Sequence, residues 1–310
     1  MRVVAVAHFG LPGNRGGSEL MLHELLSALA RRGHDVELLL TLQSGPTTTL
    51  DGVTIYQDPS HLRRLKTQRY DVAITHHMET PRAMAWGKTY DRPVVQIVHN
   101  TNRSTAGWLT AEPALAVFNT EWVRRAHRFD GRSIVVHPPV WGSQHATTRG
   151  DAVTLVNPIP AKGSATFYAL AERMPDLPFL AVEGGYLRHE QVRRDDLPNV
   201  AWQPHTADMR GDVWSRTRVL LMPSNYESWG MVAVEAMHSG IPVIAHPTPG
   251  LRESLGKAGT FVDRTDVAGW YAAIRRLYDD AEASDRARAR AAQLDPAAEL
   301  AAFVTAVESL

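Results

Sequence analysis

Two glutamates, Glu227 and Glu235, stand eight positions apart in the stretch PSNYESWGMVAVEAMHSGIPVIAHPTPGLRE, residues 223–253. The first follows an apolar run and lies beside Trp229-Gly230. The second lies early in an apolar, helix-patterned segment. A helix start offers unpaired N–H groups and the positive end of its dipole, which suit a phosphate. Gly230 would let the backbone approach such a group closely. Carboxylates next to a phosphate repel it unless they grip hydroxyls instead. The local chemistry therefore points to a phosphate ligand that carries a sugar, such as a nucleotide-sugar.

Other residues stand where chemistry is expected. Gly16-Gly17-Ser18-Glu19 joins a first strand to a first helix and reads either as a second N–H cradle or as a flexible turn. It is not a dinucleotide fingerprint, since G-x-G-x-x-G is absent. Lys162-Gly163 follows the first strand of the second half, where a lysine would neutralise a leaving diphosphate. A surface lysine is the alternative. His99-Asn100 ends the apolar run VVQIVHN, and Asn119-Thr120 ends the next. Helix capping alone would account for Thr120, and a structural hydrogen bond for His99. His76-His77 looks like a metal-ligand pair, but adjacent strand residues point to opposite faces, so no metal site is expected.

The run ESWGMVAVE resembles the E-x7-E signature of the retaining glycosyltransferases of family 4. The likeness continues through Pro223-Ser224, Glu235-Ala236-Met237, Gly240-Ile241-Pro242-Val243 and Gly250-Leu251-Arg252-Glu253. The resemblance implies an α/β chain of the GT-B class, with two Rossmann-like doubly wound domains facing a cleft. It implies transfer of a sugar from a nucleotide-diphosphate sugar, UDP-sugar favoured, to an acceptor hydroxyl with retention and without a metal or other cofactor. By resemblance, Glu235 holds the ribose hydroxyls, and Glu227 and His99 lie by the transferred sugar. Backbone N–H groups of Trp229, Gly230 and Met231 meet the sugar and diphosphate. Lys162 holds the diphosphate, Gly16 and Gly17 lie near it, and Asn119 and Thr120 lie on the acceptor side. Glu253 matches a family glutamate of either capping or binding role. The family usually carries an arginine where this chain has Asn157, in LVNPIPAKG, so one charge of the diphosphate clamp is missing. That substitution motivates the alternative of a catalytically silent GT-B protein that binds a nucleotide or glycan.

The elements that must position these residues alternate in kind. Apolar runs at 2–9, 36–41, 53–56, 72–75, 94–99, 115–118 and 134–137 read as strands, and the segment 18–32 reads as a helix with Leu22, Leu25, Leu26 and Leu29 on one face. Ser18 is the expected N-cap and Gly33 the C-cap. A helix is expected over 120–129. Pro138-Pro139 and the polar stretch 141–151 read as a linker. A second series follows: strands at 153–157, 179–183, near 200, at 219–223 and 243–246, with helices from 162 to 173, near 210–216, over 230–239 and from 266 onward. The expected domains are 1–145 and 146–310, with the last helix free to return to the first domain.

At 310 residues with 44% hydrophobic content, the chain suits two ordinary domains. It has no cysteine, which excludes disulfides and thiolate chemistry and fits a cytoplasmic setting. The N-terminal segment reads as a buried strand rather than a leader, and no apolar run is long enough to cross a membrane. Net charge is zero, which weighs against general nucleic-acid binding. Two basic clusters, His61–Arg69 and Arg124–Arg128, leave open peripheral contact with an anionic surface. The acceptor (glycan, lipid, protein or modified nucleic acid) is not indicated.

Overall fold

The computed structural model describes residues 1–185 and 187–310. The chain forms two compact units, Met1–Pro139 with Pro296–Leu310, and Val140–Asp295. Each is built on a parallel sheet flanked by helices.

In the first unit the strands are β1 (Arg2–Ala7), β2 (Asp35–Leu40), β3 (Thr48–Leu50), β4 (Val53–Tyr56), β5 (Val72–His76), β6 (Val94–Val98), β7 (Leu115–Phe118) and β8 (Ser133–Val135). Their order is β3-β4-β2-β1-β5-β6-β7-β8, parallel throughout except for the short β3–β4 pair. The central strands are continuous apolar runs because helices cover both faces: Val3 to Ala7 are wholly buried. Strand order reverses between β1 and β5, so the loops beyond the carboxyl ends of these strands open a crevice suited to a ligand.

The first helix spans Gly17–Arg31 and buries Leu22, Leu25, Leu26 and Leu29, as its periodicity predicts. Its N-cap is Gly16 rather than Ser18, because Ser18 Oγ turns to Glu19 Oε2 at 2.9 Å instead of to the helix backbone. The C-terminal helix Ala297–Glu308 belongs to this unit and buries Leu300, Phe303, Val304 and Val307. Each such side chain contributes roughly 1.5–3 kcal/mol. Glu308 receives Arg32 and His34 at 3.2 and 3.0 Å, and Glu299 pairs with His137 at 2.8 Å.

The second unit contains β9 (Ala152–Val156), β10 (Phe179–Val182), β11 (Val200–Gln203), β12 (Thr217–Met222), β13 (Val243–Ala245) and β14 (Thr260–Phe261), ordered β11-β10-β9-β12-β13-β14 and all parallel among the described residues. Its order reverses between β9 and β12. The helix expected from 162 starts at Ser164, since Gly163 takes a left-handed conformation (φ 86°) and Lys162 closes a 3-10 turn, Pro160–Lys162. The helix expected near 210–216 is two short turns, Met209–Asp212 and Trp214–Arg216. The stretch 141–151, read from sequence as a linker, instead folds onto the second unit: a short helix, Gly142–His145, packs on the helix Met231–His238, and Thr147 N–H and the His145 carbonyl both bond Ser239 Oγ, at 3.0 and 2.9 Å.

Candidate active site

In the second unit the reversal point carries Lys162 on the loop after β9 and Glu227 on the loop after β12. Asn225 N–H bonds the Ala161 carbonyl at 3.0 Å and ties these loops together. Lys162 Nζ donates to Glu227 Oε1, and Ser224 Oγ donates to the same oxygen at 2.9 Å. The structure thus joins two of the predicted site residues directly. It adds Ser224, whose place in the motif was visible but whose role was not.

Asn157 directly follows β9 in a left-handed conformation (φ 62°), which asparagine tolerates better than most residues. It is 4% exposed, and neither its Nδ2 nor its Oδ1 has a hydrogen-bond partner among the described residues. A buried amide left so costs about 1–3 kcal/mol. A ligand that accepts from one end and donates to the other would recover that cost.

Trp229 is buried, and Gly230 (φ 82°, ψ 62°) turns the chain into the helix Met231–His238. Met231 therefore begins the helix, with its N–H among the unpaired donors of the first turn. Close to this loop, Thr248 caps the helix Pro249–Leu255, accepting from Leu251 N–H at 3.3 Å. Gly250 there lies so close that a Cβ would stand 2.3 Å from the Ser228 carbonyl oxygen and 2.4 Å from that of Glu227. Glu253, later in the same helix, offers its carbonyl to Arg290 at 2.8 Å.

Glu235 lies in the second turn of its helix and is 6% exposed. Its Oε2 is 3.8 Å from His145 Nδ1 on the strap formed by residues 141–151. Burial, aided by the neighbouring His238, pushes the His145 pKa down to about 4, so the ring is neutral at pH 7. His145 was missed because the polar strap around it carries no periodicity.

In the first unit, His8 follows β1, His76 ends β5 with His77 directly after it, and His99 follows β6. The ring centroids of His76 and His77 are 4.6 Å apart, those of His77 and His99 4.9 Å, and those of His76 and His99 5.1 Å. The expectation that His76 and His77 point to opposite faces is overturned. His77 leaves the strand with φ 52°, opening a 3-10 turn, so the alternation that separates neighbours stops at His76. Among the described residues, His76, His77 and His99 are the group of side chains whose spacing would suit a metal ion.

Burial holds the pKa values of His76 and His99 well below the ordinary histidine range, helped by the adjacent rings. Burial, with His8, brings His77 to about 4. Asn119 Nδ2 donates to the His99 carbonyl at 3.0 Å and so fixes the backbone that carries this ring. Thr120 caps the helix Glu121–His127, accepting from Val123 N–H at 3.1 Å.

At the start of the first helix, Gly16 N–H is taken by Asn14 Oδ1 at 3.1 Å. The Glu19 carboxylate folds over the same turn: a Cβ on Gly16 would lie 2.3 Å from Glu19 Oε2. An anion reaching Gly16 and Gly17 would have to displace that carboxylate. The basic clusters are partly neutralised. Arg64 turns inward to Glu37 at 2.7 and 2.8 Å, and Arg124 and Arg125 both pair with Glu121, leaving Arg63, Lys66 and Arg69 exposed. No helix among the described residues is long and apolar enough to cross a membrane.

Comparison with known proteins follows the two units. Residues 15–140 match the family described as Glycosyltransferase Family 4, and residues 165–280 match that described as Glycosyl transferases group 1. Glycogen synthase of Mycobacterium tuberculosis (strain CDC 1551 / Oshkosh) is 26% identical over 375 aligned residues, covering 94% of this chain and 89% of that protein. D-inositol 3-phosphate glycosyltransferase of Arthrobacter sp. (strain FB24) is 42% identical over 82 residues, covering 25% of this chain and 20% of that one. The crystal structure of Anabaena HepE in complex with UDP-glucose superposes with a TM-score of 0.82 at 17% identity, each chain covered completely. That likeness shows the shared fold, GT-B.

Proposed function

The chain is a glycosyltransferase of the GT-B type, and from that premise we propose that it moves a hexosyl unit from a nucleotide-diphosphate sugar, UDP-sugar favoured, to an acceptor hydroxyl with retention and without a metal. The observation that carries this reading is the Lys162–Glu227–Ser224 constellation at the carboxyl ends of β9 and β12, next to the helix start at Met231. It supplies a cation, a carboxylate and unpaired N–H donors in one place. The complex of HepE with UDP-glucose supports uridine as the nucleotide.

In this reading Lys162 changes partner on binding. Without donor, the ammonium and the Glu227 carboxylate neutralise each other. A diphosphate carries more negative charge than one carboxylate and takes Lys162, which leaves Glu227 to accept from sugar hydroxyls. Asn157 offers the diphosphate a neutral donor where related enzymes place a charge, and Glu235 binds the ribose. His99 acts toward the transferred sugar, and its neutral ring is able to accept a hydroxyl proton in a hydrogen bond. The bond from the anomeric carbon to the diphosphate breaks as the acceptor oxygen joins the same face. The acceptor proton passes to the departing phosphate oxygen, so no flanking carboxylate pair is needed. Asn119 and Thr120 are assigned to the acceptor side, and Arg63, Lys66 and Arg69 to contact with an anionic surface.

The test is purified protein against UDP-, GDP-, ADP- and TDP-sugars, read by thermal shift and by nucleotide release with and without EDTA. Stabilisation by a UDP-sugar with EDTA-insensitive release is expected. Stabilisation without release, in the presence of acceptor candidates, would point to a binding protein and refute the catalytic reading. In the same assay Lys162→Ala lowers turnover by about 10²-fold.

A further inference from the structure

Four imidazoles converge at the reversal point of the first unit, and neither Thr120 capping nor the Asn119 bond explains them. One ring nitrogen from each of His76, His77 and His99 lies within 4.8 Å of the others. His76 Nδ1 and His99 Nε2 are 3.0 Å apart and share one hydrogen. His76 is fully buried, and its Nε2 has no partner among the described residues. The His8 ring centroid stands 5.9 and 5.8 Å from those of His76 and His77, and His8 Nδ1 is likewise buried without a partner. Among the described residues a single hydrogen bond links the three packed rings of His76, His77 and His99, so hydrogen bonding alone does not account for their convergence.

Three neutral imidazoles on one side of an open position form a donor set used for zinc, and imidazole also suits cobalt, nickel and copper. Zinc–nitrogen bonds of about 2.0–2.1 Å place tetrahedral ligand nitrogens about 3.4 Å apart. The cluster reaches that spacing by closing about 1.4 Å at its widest separation. His77, partly exposed on a 3-10 turn, is the ligand best placed to move. An ion would take the place of the hydrogen between His76 and His99.

We propose that His76, His77 and His99 form a binding site for a divalent transition-metal ion of zinc's class, with His8 in reach of the fourth position, and that occupancy inhibits transfer by engaging His99. The inhibitory half rests on the role given to His99 under Proposed function. Catalysis itself runs without the ion.

The experiment uses tag-free full-length protein stripped with chelator and titrated with Co2+. One equivalent should produce the strong visible bands of a low-coordinate cobalt site, displaced by Zn2+. His77→Gln should weaken binding at least 10-fold. If that variant fails to fold, protection of the partly exposed His77 from diethyl pyrocarbonate by Zn2+, mapped by mass spectrometry, gives the same information on the native chain. A cobalt spectrum that stays that of the hydrated ion, or binding unchanged in His77→Gln, overturns the site. Zn2+ should also suppress UDP-sugar turnover reversibly with EDTA, and leave the activity of His77→Gln without further loss. Full turnover with the site occupied overturns the inhibitory half. Absence of turnover with every donor overturns the functional reading and that half with it, while the cobalt spectrum still decides the site.

Discussion

Replacing Gly250 by alanine sets two effects against each other, and the structure decides between them. Alanine is favoured over glycine inside a helix by about 0.5–1 kcal/mol, so propensity alone predicts stabilisation of Pro249–Leu255. The new Cβ, however, would lie 2.3 Å from the Ser228 carbonyl oxygen and 2.4 Å from that of Glu227, both rigid backbone atoms. Reaching ordinary contact requires the helix start and the 227–228 segment to part by about 1 Å. Overpacking of this kind costs about 1–3 kcal/mol, more than the propensity gain. The expected net result is a melting temperature lower by a few degrees, at roughly 2–4 °C per kcal/mol. Activity should suffer more than stability, because the displaced segment carries Glu227, and a shift of about 1 Å costs on the order of 10²-fold in rate. The matched control is Gly107→Ala in the helix Arg103–Leu109, where a Cβ meets nothing within 4 Å. It should raise stability by about 0.5–1 kcal/mol and leave turnover alone. Calorimetry and donor turnover on the two variants make the comparison. Gly250→Ala with the melting temperature and turnover of Gly107→Ala would refute the reasoning.

Three further outcomes are expected. Lys162→Ala and Glu227→Gln should each lower donor turnover, and the double variant should lose at least the sum of the two free energies, because donor binding separates the pair and each side chain then serves a different part of the donor; a double variant no worse than the worse single one would show that the two act as one unit. Glu37→Ala should destabilise the protein by about 3–5 kcal/mol in denaturant titration, since the buried carboxylate accepts from Arg64 at 2.7 and 2.8 Å and from Tyr70 Oη at 2.6 Å and its loss strands the guanidinium; a loss within experimental error would show that water replaces it. Stability should fall as pH drops from about 6.5 to about 4. His145 is pushed down to about 4 by burial and by His238, and His238 is itself lowered by burial. In that window the unfolded chain, with histidine near 6.5, binds the more protons, so their contribution is complete above the unfolded value and lost toward the folded one. His145→Gln should flatten this slope in melts run across the window, and an unchanged slope would remove His145 from the account.

What was legible in the sequence follows from periodicity, and what was not lies where periodicity stops. β1, β5, β6 and β9 are apolar runs bounded by polar or glycine-containing loops, and their places and ends could be read to within a residue or two. The Glu227–Glu235 spacing with Gly230 between them located a loop and a helix start, and the structure puts Glu227 in the loop, the helix start at Met231 and Glu235 in the second turn. The strap around His145 was hidden because a proline pair followed by polar residues looks the same whether it links two bodies or folds back onto one. What distinguishes them is the bonding of Ser239 Oγ to Thr147 N–H and the His145 carbonyl, a long-range contact that no local pattern encodes.

His77 shows the same limit in one residue. Strand alternation is a sound rule for neighbours only while both remain in the strand, and a single left-handed φ of 52° after His76 turns two rings that should diverge into near neighbours. Such conformations are rare for residues other than glycine, asparagine, aspartate and histidine. They persist where surrounding structure fixes them, which is often at functional sites. Asn157 has the same left-handed backbone directly after β9, with a buried amide that lacks partners among the described residues, and it also follows the last residue of a strand at a sheet's reversal point. A histidine or asparagine directly beyond an apolar run is therefore the position where alternation should be trusted least. There the backbone is freed from the ladder, and the side chain can be aimed by a single dihedral toward a ligand rather than alternately in or out of the sheet.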